Sequence, residues 1–363
     1  MDDAHGKADR CESGAPMGTG ARDRRVTGLR SAIVERCEGL SAAAAALGVT
    51  FVVSVDDLLR RDRTLGAFGQ TISPNGTCRL LAAADGHIAI NFARDDDVAA
   101  VAAWLDADID GGDFAAVAAR VAQLPVAMLR DRAVMLHLPF AVVGESVPGL
   151  PHLMPKSHDE HFPTITNLRV LDLSALWAGP LCGALLAAAG AQVVRWENPH
   201  RPDSSAVSTP GHFRALNGGK KMIDEPWGRD QLERAIASAD VLITSGRPHA
   251  LQRLGIEPDR AFEREMPLLW IAITAHGWAG DAAMRVGFGD DCAAAGGLVD
   301  YQSGAAVFIG DALADPLTGL EAARSAFEAL AAGRGGLLDC ALARTAAWYA
   351  SRMKGDACRP ATT

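Results

Sequence analysis

Apolar residues first recur at helical spacing at Leu29, Ile33, Val34, Cys37 and Leu40, which predicts a helix over residues 27–47. The turn residues Ser73-Pro-Asn-Gly76 then lead into two apolar runs, 79–83 and 87–92. Asp85-Gly86 separates those runs, so they read as a hairpin. Helical spacing returns over 97–105, 114–124 and 128–136. Together these segments predict a small α+β unit spanning 26–148. Residues 1–25 carry Gly, Asp, Arg and Ser without apolar periodicity and predict a disordered tail, with a second short tail at 356–363. Pro148, Pro151, Pro155 and Pro163 punctuate a polar stretch, so 149–166 is expected to be a linker without a regular element.

Beyond residue 166 the rhythm changes. Short apolar runs at 168–173, 192–197, 241–245 and 268–274 alternate with helical patterns at 181–189 and 230–239. A long helix at 316–332, a strand at 336–340 and a last helix ending near Arg352 complete the series. This alternation predicts βαβ units and a parallel sheet over 167–355. The expected fold class is α/β: a Rossmann-like parallel sheet joined to a smaller α+β domain.

The composition narrows the function classes. The chain has 363 residues, 49% hydrophobic and 22% charged, which is the make-up of a globular protein. Its 44 acidic against 35 basic residues give a net charge of −9, against a nucleic-acid partner. No apolar run reaches the ~20 residues of a membrane helix. The N-terminal residues lack the basic and apolar regions of a secretory signal. Seven cysteines without a Cys-x-x-Cys pair suggest reduced thiols. The expectation is a soluble cytoplasmic enzyme with no bound metal.

Several positions could carry chemistry. Asp315-Pro316 opens an apolar-periodic run, which marks a helix N-terminus; the carboxylate is either a structural cap or a nucleophile kept ionised by helix amides. Trp177-Ala-Gly179-Pro180 follows a strand and begins a helix, so it is a tight turn or a phosphate-facing helix end. Glu197 ends the next strand, where a dinucleotide fold puts its ribose-binding acid, although no Gly-x-Gly-x-x-Gly is present. Basic side chains recur at Arg201, Lys220-Lys221, Arg247, Arg253 and Arg285; Lys220-Lys221 beside two glycines could meet an anion or lie solvated on the surface. Asp290-Asp291 could bind a ligand or cap a helix. The Asp106–Gly111 stretch begins like a calcium loop, but its twelfth position is Val117. The His152–His161 cluster lacks metal-ligand spacing, and no Gly-x-Ser-x-Gly elbow occurs.

Residues 167–350 resemble the class III (CaiB/BaiF) CoA-transferase family. The resemblance rests on an ordered series: Val170-Leu-Asp-Leu-Ser174, Ala178-Gly179-Pro180, Gly190-Ala191, Val193–Glu197 with Pro199, Leu216-Asn217 and Gly219-Lys220-Lys221. It continues through Ala239-Asp240-Val241, Arg247-Pro248, Arg253-Leu-Gly255, Gly296-Gly297-Leu298, Gly310-Asp311 and Asp315-Pro-Leu-Thr-Gly319. It implies transfer of CoA from an acyl-CoA to a free carboxylic acid, through an aspartyl intermediate on Asp315. It also implies CoA contacts at Gly179, Pro180, Glu197, Lys220, Arg247 and Arg253, a homodimer, and acyl-CoA as substrate with no tightly bound cofactor. Alternatives are an acyl-CoA racemase, isomerase or dehydratase using a base such as His276 or Asp291, and a non-catalytic acyl-CoA-binding protein. Where the racemase subgroup places a histidine, this chain has Gly289. The family's glycine-rich active-site loop has no clear counterpart, and residues 71–95 look like its small-domain segment, so the expected domain order is permuted, or the chain is like a fragment of a tandem copy.

Overall fold

In the computed structural model, residues 19–59, 61, 69–157 and 161–353 are described. The expected tail at 356–363 and residues 1–18 of the N-terminal tail lie outside them. Residues 19–25 are not a tail: they belong to a 27-residue helix, α1 (Thr19–Ala45). Its inner face carries Leu29, Ile33, Cys37 and Leu40, all buried, whereas Val34 points out at 41% exposure.

The first half holds a three-stranded antiparallel sheet, β1 (Cys78–Ala83), β2 (Gly86–Asn91) and β3 (Phe140–Val142), in the order β1-β2-β3. Ala83 pairs with Gly86, so the hairpin turns at Ala84-Asp85, one residue earlier than the expected Asp85-Gly86. Three helices, α2 (Val101–Leu105), α3 (Phe114–Val121) and α4 (Val126–Met135), cover one face around Trp104, Val117, Leu129 and Phe140.

The second half is built on seven strands: β4 (His152–Ser157), β5 (Arg169–Asp172), β6 (Gln192–Glu197), β7 (Lys221–Asp224), β8 (Val241–Thr244), β9 (Leu269–Thr274) and, after the hairpin β10 (Val299–Gln302) and β11 (Ala305–Phe308), β12 (Gly335–Ala341). Their order is β4-β12-β9-β8-β5-β6-β7, parallel except for β4. Strands β8, β9 and β12 are buried along their whole length, as expected for a sheet covered on both faces. The chain starts at β5, builds outward through β6 and β7, then reverses to β8 and β9. A topological switch point therefore lies between β5 and β8, and ligands of such sheets bind outside the carboxyl ends there.

Strand β4 corrects the expectation of an irregular linker. Residues 152–157 pair antiparallel with β12, and Pro155 sits on the outer edge strand, where a missing N–H is tolerated. It faces Gly336 at an irregularity in the register.

Six further helices position the site: α5 (Ala178–Ala188), α6 (Pro210–Asn217), α7 (Arg229–Ser238), α8 (Pro248–Arg253), α9 (Gly289–Ala295) and α10 (Ala314–Ala331), with α11 (Leu342–Met353) closing the chain. Helix α10 is the centre of the packing. Its Leu317, Leu320, Ala323 and Phe327 are fully buried in a core shared with α1, α5 and α11, so the first helix of the described residues packs with the last. Gly319 lets α5 approach: a Cβ there would lie 2.7 Å from the Ala178 carbonyl oxygen. One charged side chain sits inside this core. Glu321 accepts from Arg36 through both carboxylate oxygens (2.7 and 2.6 Å), from Tyr349 Oη (2.8 Å) and from Arg324 Nε (3.1 Å).

Removing one member of a buried ion network leaves the others desolvated and unpaired, at about 3–5 kcal/mol. Glu321→Ala should therefore lower the unfolding free energy in urea by about that amount. A loss under about 1 kcal/mol would show that this network does not hold α1 to the core.

Candidate functional site

The first βα turn is built by buried charges. Asp172 closes β5 and accepts the Ser174 amide (2.9 Å) and the Ser174 hydroxyl. Arg195 donates to the Ser174 carbonyl and to Asp203, each at 2.8 Å, and Asp203 in turn accepts the amide of Leu176 (2.9 Å). Leu176 has φ +68°, a left-handed conformation unusual without a glycine. Gly179 then begins α5 against Ser174; a Cβ at this position would collide with the serine side chain. Gly179 and Ala175 line a cavity of about 80 Å³, together with Gly287, Phe288 and Asp315. Pro180 is buried behind Gly179, and its carbonyl accepts from Lys220.

Lys220 has a different position from the one expected of a CoA contact. Its ammonium is fully buried and donates to Asp172 Oδ2 (2.8 Å), Pro180 O (2.7 Å) and Asn217 Oδ1 (2.9 Å). An ammonium has three protons, so no donor is left for a ligand. Burial works against the Asp172 carboxylate, yet Lys220 and Arg195 beside it keep its pKa below the usual value. The pair braces β5 against α5 and α6.

Asp315 lies in the first turn of α10, where helix amides favour an anion. It keeps partial exposure and lines the cavity, while protein encloses its carboxyl on the other sides. Burial raises its pKa to about 7; Arg61 opposes the rise, and Asp291 and Asp311 add to it. Room for this carboxylate comes from Gly289, where a Cβ would collide with Asp315 Oδ2. Three more aspartates surround it. Asp311 is bridged to Arg61 (2.7 and 3.1 Å). Asp291 caps α9 at the Phe288 amide (3.0 Å) and accepts from Asn91 (2.9 Å); burial still raises it to about 6. Asp290 accepts the Ala312 amide (2.8 Å) and is raised to about 8, first by burial and then by Asp311.

Continuous with this cavity is a second of about 220 Å³, sharing Ser245, Thr274, Ala275 and Phe288. Four arginines line it: Arg94, Arg201, Arg247 and Arg285. Arg94 is paired with Asp97, and Arg285 with Glu145 (2.5 Å). Arg201 and Arg247 have no carboxylate partner among the described residues. Burial, then Arg94, Arg201 and Arg253, lowers the Arg247 pKa, the mark of cations gathered without compensation.

Of the expected contacts, Gly179, Arg247 and Asp315 thus come together on two joined cavities. Arg253 is exposed at the end of α8, which Arg247 precedes as its N-cap residue, and lines neither cavity. Glu197 accepts the Asp203 amide (2.6 Å) and approaches Arg195 Nη2 (3.5 Å), so it supports the turn rather than facing the cavities. His276 is buried with its Nε2 unpartnered, and burial with Arg285 nearby lowers its pKa to about 3, so it is neutral. The sequence reading missed Arg61 and Arg94. Arg61 is 250 residues from Asp311, so no local pattern marks it.

Residues 165–361 match the model of CoA-transferase family III. Among curated proteins, the chain is similar to a probable fatty acyl-CoA transferase, Rv3272, of Mycobacterium tuberculosis (30% identical over 146 residues, 37% of each chain). It is also similar to a succinate–glutarate CoA-transferase of Agrobacterium fabrum (27% over 204 residues, 50% of this chain and 51% of that one). A solved CAIB/BAIF family protein from Brucella suis aligns at 27% identity with a TM-score of 0.46, over 52% of this chain and 55% of that one. The chain spans 37% and 51% of the length of these two curated relatives.

Because Lys220 has no free donor, Lys220→Met should act on stability. It leaves Asp172 buried without its main partner, and the expected loss in urea unfolding is about 3–5 kcal/mol. Unchanged stability with a selective loss of CoA binding would return Lys220 to the ligand site.

Proposed function

Since the chain belongs to CoA-transferase family III, we propose that it moves CoA from an acyl-CoA thioester to a free carboxylic acid, with Asp315 as the nucleophile. The observation that carries this reading is the Asp315 carboxylate on the wall of one cavity, open to an arginine-lined cavity at the switch point of the sheet. The small cavity suits a thioester and a carboxylate; the arginines suit the phosphates of CoA.

In this reading the Asp315 carboxylate attacks the thioester carbonyl, the C–S bond breaks, and CoA thiolate leaves behind an acyl–aspartyl anhydride. The thiolate attacks the aspartyl carbonyl, which expels the donor acid and leaves an aspartyl–CoA thioester. An acceptor carboxylate attacks that thioester, releasing the thiolate and forming a second anhydride. Attack of the thiolate on the acceptor's acyl carbon yields the new acyl-CoA and restores Asp315. The protein's part is to hold a desolvated carboxylate, the thioester and the acceptor together, an effect of proximity and orientation.

Racemisation would need a base on the far side of an α-carbon. Asp315 fills the space that a side chain at Gly289 would need, His276 is a weak base with its pKa lowered to about 3 and lines neither cavity, and Asp291 is held by Asn91 and Phe288. Transfer is the better-supported chemistry.

Calorimetric titration with CoA, followed by assay of a panel of acyl-CoA donors and carboxylate acceptors, tests the proposal. Asp315→Ala should abolish transfer while CoA affinity stays within a few-fold. Arg247→Ala should weaken CoA by about tenfold, or ~1.4 kcal/mol. The ionised carboxylate is the reactive form, so kcat should rise with pH through about 7. Full transfer by Asp315→Ala, or no CoA binding by the wild type, would overturn the reading.

A further inference from the structure

The turn that delivers Asp315 is strained. Ala312 has φ +47°, a left-handed conformation that costs a non-glycine residue about 1–3 kcal/mol and persists only where the surroundings impose it. Its two backbone groups are both in use. The Ala312 amide donates to Asp290 Oδ1 (2.8 Å), and its carbonyl accepts the amide of Asp315 (2.9 Å). These bonds run in series from the Asp290 side chain to the Asp315 backbone. The neighbouring Gly289 completes the seat, because a Cβ there would lie 2.7 Å from both Ala312 Cβ and Ala312 O, as well as colliding with Asp315 Oδ2.

We propose that Asp290 is a positioning residue for Asp315: by holding the amide of left-handed Ala312, it sets where the Asp315 carboxylate sits against the cavity. The neighbouring aspartates have other partners. Asp311 is bridged to Arg61, and Asp291 caps α9 and binds Asn91. This inference rests on the transferase reading for its kinetic consequence, but not for its geometry.

The charge state of Asp290 matters to the same task. Its carboxyl faces Asp315 in α10, Asp311 in the preceding loop with Arg61 beyond it, Asp291 in its own helix with Arg285 nearby, and the Cys78 thiol of β1. Below about pH 8 it is neutral, so it can accept the amide without adding a second negative charge beside Asp315. Above that pH its ionisation would oppose the anion developing on the reacting thioester. The sign is fixed: the acid limb of the rate profile belongs to Asp315 and the alkaline limb to Asp290.

The test compares Asp290→Ala and Asp290→Asn with the wild type across the acyl-CoA panel. Misplacing a nucleophile by about 1 Å costs on the order of 10²-fold, so Asp290→Ala should lose roughly that in kcat with KM changed less than a few-fold. Asparagine keeps a neutral acceptor at the same place and should rescue most of the loss, with the alkaline limb gone. The proposal fails if Asp290→Ala works at the wild-type rate, or if folded Asp290→Asn keeps the alkaline limb or is no better than alanine. If the wild type transfers no CoA, the functional reading falls alone. Nitrogen-15 spectra then decide this inference: the Ala312 amide resonance should follow the titration of Asp290 in the wild type and shift in Asp290→Ala. An Ala312 amide unaffected by Asp290→Ala would overturn it.

Discussion

Everything in this molecule is arranged around one buried helix. Helix α10 is enclosed by α1, α5 and α11, and it carries two carboxylates into that enclosure. A buried charge is tolerated only where partners or protonation offset the lost hydration. Glu321, in the middle of the helix, meets that condition with two arginines and a tyrosine. Asp315, at its start, has no such set of donors among the described residues. The same helix thus holds one charge matched by partners and another, on a cavity wall, that is not.

That division runs through the second half of the chain. Under the first βα turn, Asp172, Lys220, Arg195 and Asp203 offset one another, and the turn they support is rigid enough to hold Leu176 in a left-handed conformation. A few residues away, Asp290, Asp291 and Asp315 have shifted pKa values near neutrality, and Arg201 and Arg247 face a cavity without a carboxylate partner. Perturbed titration beside a cleft is where reactivity is expected, whereas fully matched pairs are scaffold. Lys220 and Arg247 illustrate the difference between two basic residues that the sequence alone treats alike.

Local signals in the sequence were reliable where local physics decides. The hairpin of β1 and β2, the strands β5, β6, β8 and β9, and the start of α10 at Asp315-Pro316 were legible, the hairpin to within one residue, whereas the short strand β7 was not expected. Tertiary context overrode the rest. Four prolines spoke against a regular element at 149–166, but an outer edge strand needs few of its own N–H donors, so β4 forms there. Lysine beside two glycines resembles an anion site, yet Lys220 folds inward because Asp172 and two oxygens await it. Arg61 and Arg94 reach the site from distant segments and could not be placed by spacing. Gly289 was noted only as a missing histidine; its use as room for Asp315 needed coordinates.

The central claim is that the Asp315 carboxylate becomes covalently bonded to CoA. The direct measurement is to mix the protein with an acyl-CoA donor, quench with borohydride and map the peptides by mass spectrometry. An aspartyl thioester is reduced to the alcohol, so the account predicts homoserine in place of aspartate at position 315, and only when donor is present. Unmodified Asp315 in a sample that is transferring CoA would contradict it.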